Sequence, residues 1–130
     1  MLPTTTIYLA LLTLLFLWLS VNVILTRRSA RVNLGTGGNT LLERRIRAHG
    51  NCAEYLPTGI LILAVVEGLQ APTLVVHVLG GMLLAGRMLH AAALTRIKPQ
   101  PAMRVVGMVL TLASLGSGAL LALWSVIAFG

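Results

Sequence analysis

ERRIRAHGNCAEYLP, residues 43–57, sets polar and charged side chains at the head of a long apolar run. Read as a helix, Arg44, Arg47, Asn51 and Glu54 are spaced by three, four and three, so they share one face. The stripe leads with cations and ends in a carboxylate about 10 Å beyond Arg47 along the axis, at roughly 1.5 Å per residue. Such a stripe is costly in an apolar chain unless partners or a ligand cover it.

The surrounding composition makes that cost real. The 130 residues suffice for one domain, are 57% hydrophobic and only 10% charged, and have a mean hydropathy of +0.91. A water-soluble domain carries about 25% charged residues, so the chain reads as a membrane protein. Ten Lys and Arg against three acidic residues give a net charge of +7. The cations lie in short connections between apolar runs, as membrane topology demands, so no nucleic-acid partner is expected. Cys52, the single cysteine, excludes an internal disulfide and a cysteine-built zinc cluster, and reads as a small packing residue.

An all-α, four-helix transmembrane bundle is expected, one domain over residues 1–130 with spans near 5–25, 41–68, 73–95 and 102–129. The leading MLPTTT lacks the positive n-region of a secretory signal. In the first span Tyr8 suits an interfacial belt, Trp18 is packed or lipid-facing, and Asn22 reads as interhelical glue. Glycines and Asn39 turn the connection over 26–40, and Thr40 with Glu43 fits a capping box with Thr40 as N-cap. Pro57 should kink the second span. Gly80, Gly81, Ala85 and Gly86 in the third span, and Gly107, Ser114, Gly116, Ser117 and Gly118 in the fourth, allow close helix approach. Pro99 and Pro101 break the last connection.

Connections one and three hold essentially all the loop cations, while the second carries Glu67 and no cation. Positive-inside then puts residues 26–40 and 96–101 in the cytoplasm and both termini outside. Near the cytoplasmic ends gather Arg27, Arg28, Arg31, Arg44, Arg47, Asn51, Glu54, Arg87, His90 and Arg104. Guanidinium groups bind carboxylates bidentately, and Glu54 would prefer a ligand ammonium or Arg87. Together they suit a small zwitterion rich in carboxylates. Taken singly, Arg27, Arg28, Arg31, Arg45, Arg96 and Lys98 serve topology and anionic lipid headgroups. For Arg47, Asn51 and Glu54 the competing expectation is a buried structural network, such as Glu54 paired with Arg87. His77 lies toward the outer face with no visible partner, and the three histidines lack metal-ligand spacing, so no metal is expected.

Glu43-Arg44, Arg47-Ala48, Asn51, Glu54-Tyr55 and Pro57 together resemble the signature of the MAPEG family, the membrane-associated proteins in eicosanoid and glutathione metabolism. Gly86-Arg87-Met88-Leu89-His90 resembles a second family block in the third helix, and segment lengths and order extend the resemblance over nearly the whole chain. It implies a homotrimer of four-helix protomers, a bacterial member in the inner membrane, with glutathione in clefts between subunits near the cytoplasmic side. Carried over by position, Arg47, Asn51, Glu54 and Tyr55 would contact glutathione, with Arg44 and Arg27 nearby and Arg87 and His90 lining the cleft. Arg104, with one residue of slack in the third connection, matches the arginine that stabilises the glutathione thiolate, the catalytic role. Arg28 matches an arginine on the second-substrate side.

The resemblance thus implies a glutathione transferase or peroxidase acting on a lipophilic electrophile or peroxide dissolved among membrane lipids. One departure stands out: Leu94 occupies the position, one turn after His90, where family members with synthase activity often carry tyrosine. A non-catalytic trimer of the same fold, binding lipid or partner proteins, is therefore the alternative. A small multidrug-type transporter is disfavoured, because the first span holds no carboxylate.

Overall fold

A computed structural model describes residues 1–96 and 100–129 as four helices, α1 (Pro3–Ala30), α2 (Thr40–Gly68), α3 (Thr73–Thr95) and α4 (Pro101–Phe129). Among the described residues there is no strand. The expected loop cation Lys98 and breaker Pro99 lie outside them.

In hydrocarbon every backbone N–H and C=O must be satisfied within its own segment, so uninterrupted apolar runs fold as helices. Three helices, α1, α3 and residues 101–128 of α4, are long and apolar enough to cross a bilayer. α2 has 29 residues, length enough, but its first half carries Glu43, Arg44, Arg45, Arg47 and Glu54.

α1 runs five residues past the expected end at Leu25, so Arg27 and Arg28 close the helix instead of opening a loop. Pro3 is tolerated in its first turn, where an N–H would have no intrahelical partner anyway. Arg31 ends it in the left-handed region at φ 53°, and its N–H meets the Arg28 carbonyl at 3.3 Å. Gly35, Gly37 and Gly38 then turn the chain with positive φ. The cap of α2 is Asn39, not Thr40: Asn39 Oδ1 accepts the Leu42 N–H at 2.9 Å, and Thr40 is already helical. A cap one residue earlier puts Glu43 past the third helical position, so no capping box forms. α2 continues unbroken through Pro57.

α3 packs most extensively on α4, α1 packs on α2 and α3, and α2 also contacts α3 and α4. Helices gain little hydrophobic drive from one another in lipid, so close approach and interhelical hydrogen bonds decide the packing. At Gly86 and Gly107 the backbones of α3 and α4 come close together. A Cβ on Gly86 would stand 2.8 Å from the Gly107 carbonyl oxygen, and one on Gly107 would stand 2.7 Å from the Gly86 carbonyl oxygen. Two apolar clusters fill the interior. One holds Leu12, Leu63, Val66, Val76, Leu79 and Leu83. The other holds Leu19, Ala48, Cys52 and Ala91, where Cys52 packs as a small residue.

Polar side chains tie the elements together at both ends. At the cationic end, Arg45 Nη1 donates to Thr26 Oγ1 and, at 3.4 Å, to the Asn22 carbonyl. The Asn22 side chain donates to its own helix, to the Trp18 carbonyl, so the interhelical contact runs through Asn22's backbone. His49 stacks on Phe16 at 4.6 Å and hydrogen-bonds Ser20 at 3.0 Å. At the other end His77 does have a partner: the Tyr8 hydroxyl lies 3.2 Å from its Nδ1 and donates to its carbonyl at 3.0 Å. Tyr8 can lie there because Gly80 leaves room; a Cβ on Gly80 would stand 2.3 Å from the tyrosine ring.

Candidate functional site

The polar face of α2 opens onto a cleft of about 840 Å³ between α2, the end of α3 and the start of α4. That is within the usual ~300–1,000 Å³ of ligand pockets. α2 contributes Arg44, Arg47, Asn51 and Glu54, on the one helical face that their spacing predicts. From α3 come His90 and Leu94, and from α4 Arg104 and Met108. Arg47, Glu54 and Arg104 are exposed, His90 is buried, and Asn51 is half-buried. Glu43 also lines the cleft, so three arginines face two carboxylates; the small positive excess favours an anionic guest, while Glu54 offers a place for an ammonium.

Behind the cleft wall lies Arg87, 1% exposed and the largest fully buried side chain among the described residues. Its guanidinium is held on every side. Nε donates to Thr111 Oγ1 at 3.0 Å, Nη1 to Asn51 Oδ1 at 2.6 Å, and Nη2 approaches Met108 Sδ at 3.3 Å. The Tyr55 ring covers it at 5.0 Å, a cation–π contact. A buried charge is tolerable only with such partners. The structural pairing anticipated between Glu54 and Arg87 is therefore not the one formed; Asn51 takes the cation, leaving Glu54 at the cleft surface. Thr111 in turn donates to the Gly107 carbonyl at 2.8 Å, linking Arg87 to the Gly86–Gly107 crossing.

Of the residues singled out from sequence, Arg44, Arg47, Asn51, Glu54, His90 and Arg104 come together at the cleft. Arg87 and Tyr55 form its support. Arg44 also crosses to the end of α3, Nη1 donating to the Arg96 carbonyl at 3.3 Å. Arg27 and Arg28 stand apart, in a separate hollow of about 590 Å³ at the end of α1. There Arg27 Nη1 donates to the Gly35 carbonyl at 2.9 Å. Sequence reasoning missed Met108 and Thr111. Thr111 interrupts an otherwise apolar stretch of α4, which was the available signal; nothing in the pattern marks Met108. No group of three or more His, Cys, Asp or Glu suited to a metal gathers among the described residues.

Glu67 was read only as a loop charge, yet it does structural work at the opposite end. Its carboxylate accepts the backbone N–H of Thr4 at 2.9 Å and of Thr5 at 2.7 Å, satisfying the first turn of α1 from another helix. α1 has no side-chain cap of its own. Glu67 is the penultimate residue of α2, beside the connection to α3. Partial burial would raise the Glu67 pKa, but the hydrogen bonds from Thr5 and Thr4 prevail and lower it from 4.5 to about 2.

Comparison with known proteins places these features in context. The model of the MAPEG family matches residues 5–124. The inner membrane protein YecN of Escherichia coli (strain K12) is 40% identical over 84 residues, which are 65% of this chain and 64% of that protein. YecN from a second strain, O6:H1, matches equally. The match thus spans less than two thirds of the length of these curated relatives.

Proposed function

This chain belongs to the MAPEG family, and from that premise we propose that it is a glutathione-dependent inner-membrane enzyme, a transferase or peroxidase acting on lipophilic electrophiles or hydroperoxides. One observation carries the reading: exposed Arg47, Glu54 and Arg104 face one cleft, with Asn51 held beside them by Arg87. Glutathione bears two carboxylates, an ammonium and a thiol. Arg44 and Arg47 suit the carboxylates, Glu54 the ammonium, and Asn51 a peptide group.

Arg104 suits the sulfur. A free thiol has a pKa of about 8.5, so little of it is thiolate at neutral pH. A guanidinium beside the sulfur stabilises the anion, whose lone pair forms the new S–C bond as the electrophile's leaving group departs with its bonding pair, or attacks a peroxide oxygen as the O–O bond breaks, giving a sulfenic acid and an alkoxide that takes a proton from water. Arg87 is a positioning residue in this scheme, because its donors are already engaged inside the protein. In a homotrimer of four-span protomers, with both termini outside, the open side of the cleft would face a neighbour. Arg27 and Arg28, at the edge of the bundle, would then serve an adjoining cleft.

The second reading, a non-catalytic trimer binding lipid or partner proteins, is favoured by one detail: the cleft wall carries Leu94 where family members with synthase activity often carry tyrosine. Calorimetry of the detergent-solubilised protein with glutathione, joined to ultraviolet thiolate absorbance, separates the two. Binding with a thiolate signal supports the enzyme. Absence of binding removes it, and binding without thiolate favours the non-catalytic trimer.

A further inference from the structure

Most glycines inside the helices of this bundle have a neighbour on their bare side. A Cβ added at Gly59, Gly80, Gly86, Gly107 or Gly118 would meet another helix at 3.0 Å or less, so close packing accounts for each of them. Gly50 is different. It lies well inside α2, half-buried, and nothing stands within 4 Å of the Cβ it lacks. Glycine is the least helix-favouring residue after proline, because it has the most backbone freedom to lose. Among the described residues, packing gives no reason for that choice at this position.

The bare side of Gly50 opens onto the cleft between α2, α3 and α4. Along the helix Gly50 comes three residues after Arg47 and four before Glu54, a spacing that sets all three on one face. At 1.5 Å per residue Arg47 is about 4.5 Å away along the axis, and Glu54 about 6 Å on the other side. A zwitterion gripped by the Arg47 guanidinium and the Glu54 carboxylate therefore crosses α2 over Gly50. Inside a helix the Gly50 N–H and C=O are spent in the backbone ladder. What the residue offers a ligand is clearance.

We propose that Gly50 is a specificity-determining residue of the cleft: its missing side chain lets the main chain of a peptide-type thiol lie directly on the α2 backbone between Arg47 and Glu54. The inference rests on the glutathione reading and deepens it, giving a residue without any polar side-chain group a part in choosing the ligand. A methyl there would lift the peptide off the helix by roughly one C–C bond, about 1.5 Å. Both charged ends of the ligand would then sit further from the groups that grip them, and hydrogen bonds weaken steeply once their geometry is lost.

The full chain in detergent is compared as parent, Gly50→Ala and Gly116→Ala, by thermal melting, by oligomeric mass from light scattering, and by calorimetry with glutathione. Gly116 is the matched control: it lies exposed on α4, and its added Cβ also meets nothing within 4 Å. Gly50→Ala is expected to melt a few degrees above the parent, since alanine favours the helix. It should nevertheless bind glutathione about tenfold more weakly, while Gly116→Ala binds as the parent does. A gain in stability joined to a loss of affinity is a pairing that a packing glycine does not give. Undiminished affinity in Gly50→Ala overturns the proposal and leaves the glutathione reading standing. A Gly50→Ala melt below the parent's, or an altered oligomeric mass, also overturns it, because the glycine then serves packing between helices or between copies of the chain. Equal losses of affinity in the two alanine variants overturn it in favour of a general stiffening of the bundle. If the parent itself binds no glutathione, the glutathione reading fails and the proposal falls with it.

Discussion

Arg87 Nη1 donates to Asn51 Oδ1 at 2.6 Å, across the packing of α3 on α2. That bond presents Asn51 to the cleft and consumes the cation that Glu54 would otherwise claim. Glu54 is thereby left on the cleft surface with Arg47 and Arg104.

Arg87→Met retains much of the apolar bulk but strips the donors from Asn51, Thr111 and Met108. Buried hydrogen bonds to charged groups contribute on the order of 1.5–3 kcal/mol each, so the melting temperature in detergent should fall clearly. Glutathione affinity should fall with it, because Asn51 loses its orientation. A variant that melts as the parent does would mean the buried network contributes nothing.

Gly86→Ala and Gly107→Ala should each weaken the α3–α4 contact. The new methyl meets backbone at 2.8 and 2.7 Å, and backbone cannot rotate away as a side chain tip can. Gly116→Ala is the control: nothing lies within 4 Å of its added Cβ, and alanine favours helix over glycine by about 0.8–1.0 kcal/mol. Thermal melts should therefore drop for the first two and hold or rise for the third.

Acid should loosen the far end of the bundle through Glu67. Its folded pKa is depressed, so the stability it adds is fully present above its ordinary value of 4.5 and is lost as pH falls toward about 2. Glu67→Gln should lower the melting temperature at neutral pH and flatten this acid dependence. Hydrogen exchange at the amides of Thr4 and Thr5 should quicken in the same variant, since those donors lose their acceptor. An unaltered acid profile would count against the cross-helix cap.

Arg104 is exposed, so Arg104→Leu should leave the melt close to that of the parent. If it stabilises the glutathione sulfur, thiolate absorbance should fall toward that of free glutathione and turnover should drop about 10²–10³-fold, the usual loss on removing one anion-stabilising donor. On the proposed reading Arg47 and Glu54 carry the affinity for glutathione, which should change far less. Equal losses of affinity and turnover would assign Arg104 to binding alone.

Much of this site was legible in the residues. The spacing of Arg44, Arg47, Asn51 and Glu54 is a one-dimensional property of a helix, and the structure keeps them on one face. Arg104 and His90 reach the same cleft because connections that return the chain across a bundle bring alternate helix ends together. Arg87 was legible as a buried or ligand-facing cation, but not by its partners. Asn51 over Glu54, Thr111 and Met108 all depend on how α3 and α4 are rotated against α2.

By itself the sequence determined that the chain is a set of helices in lipid with its cations at one end. Apolar runs in hydrocarbon have no other way to satisfy their backbones, and glycine-rich or proline-bearing breaks have nowhere to lie but between them. Only the tertiary structure decided that Asn39 caps α2, that Glu67 caps α1, that His77 meets Tyr8, and that Arg27 and Arg28 stand away from the cleft. Those contacts depend on axial register and helix rotation. Both are set by close approaches such as Gly86 against Gly107, which no periodicity within a single helix encodes.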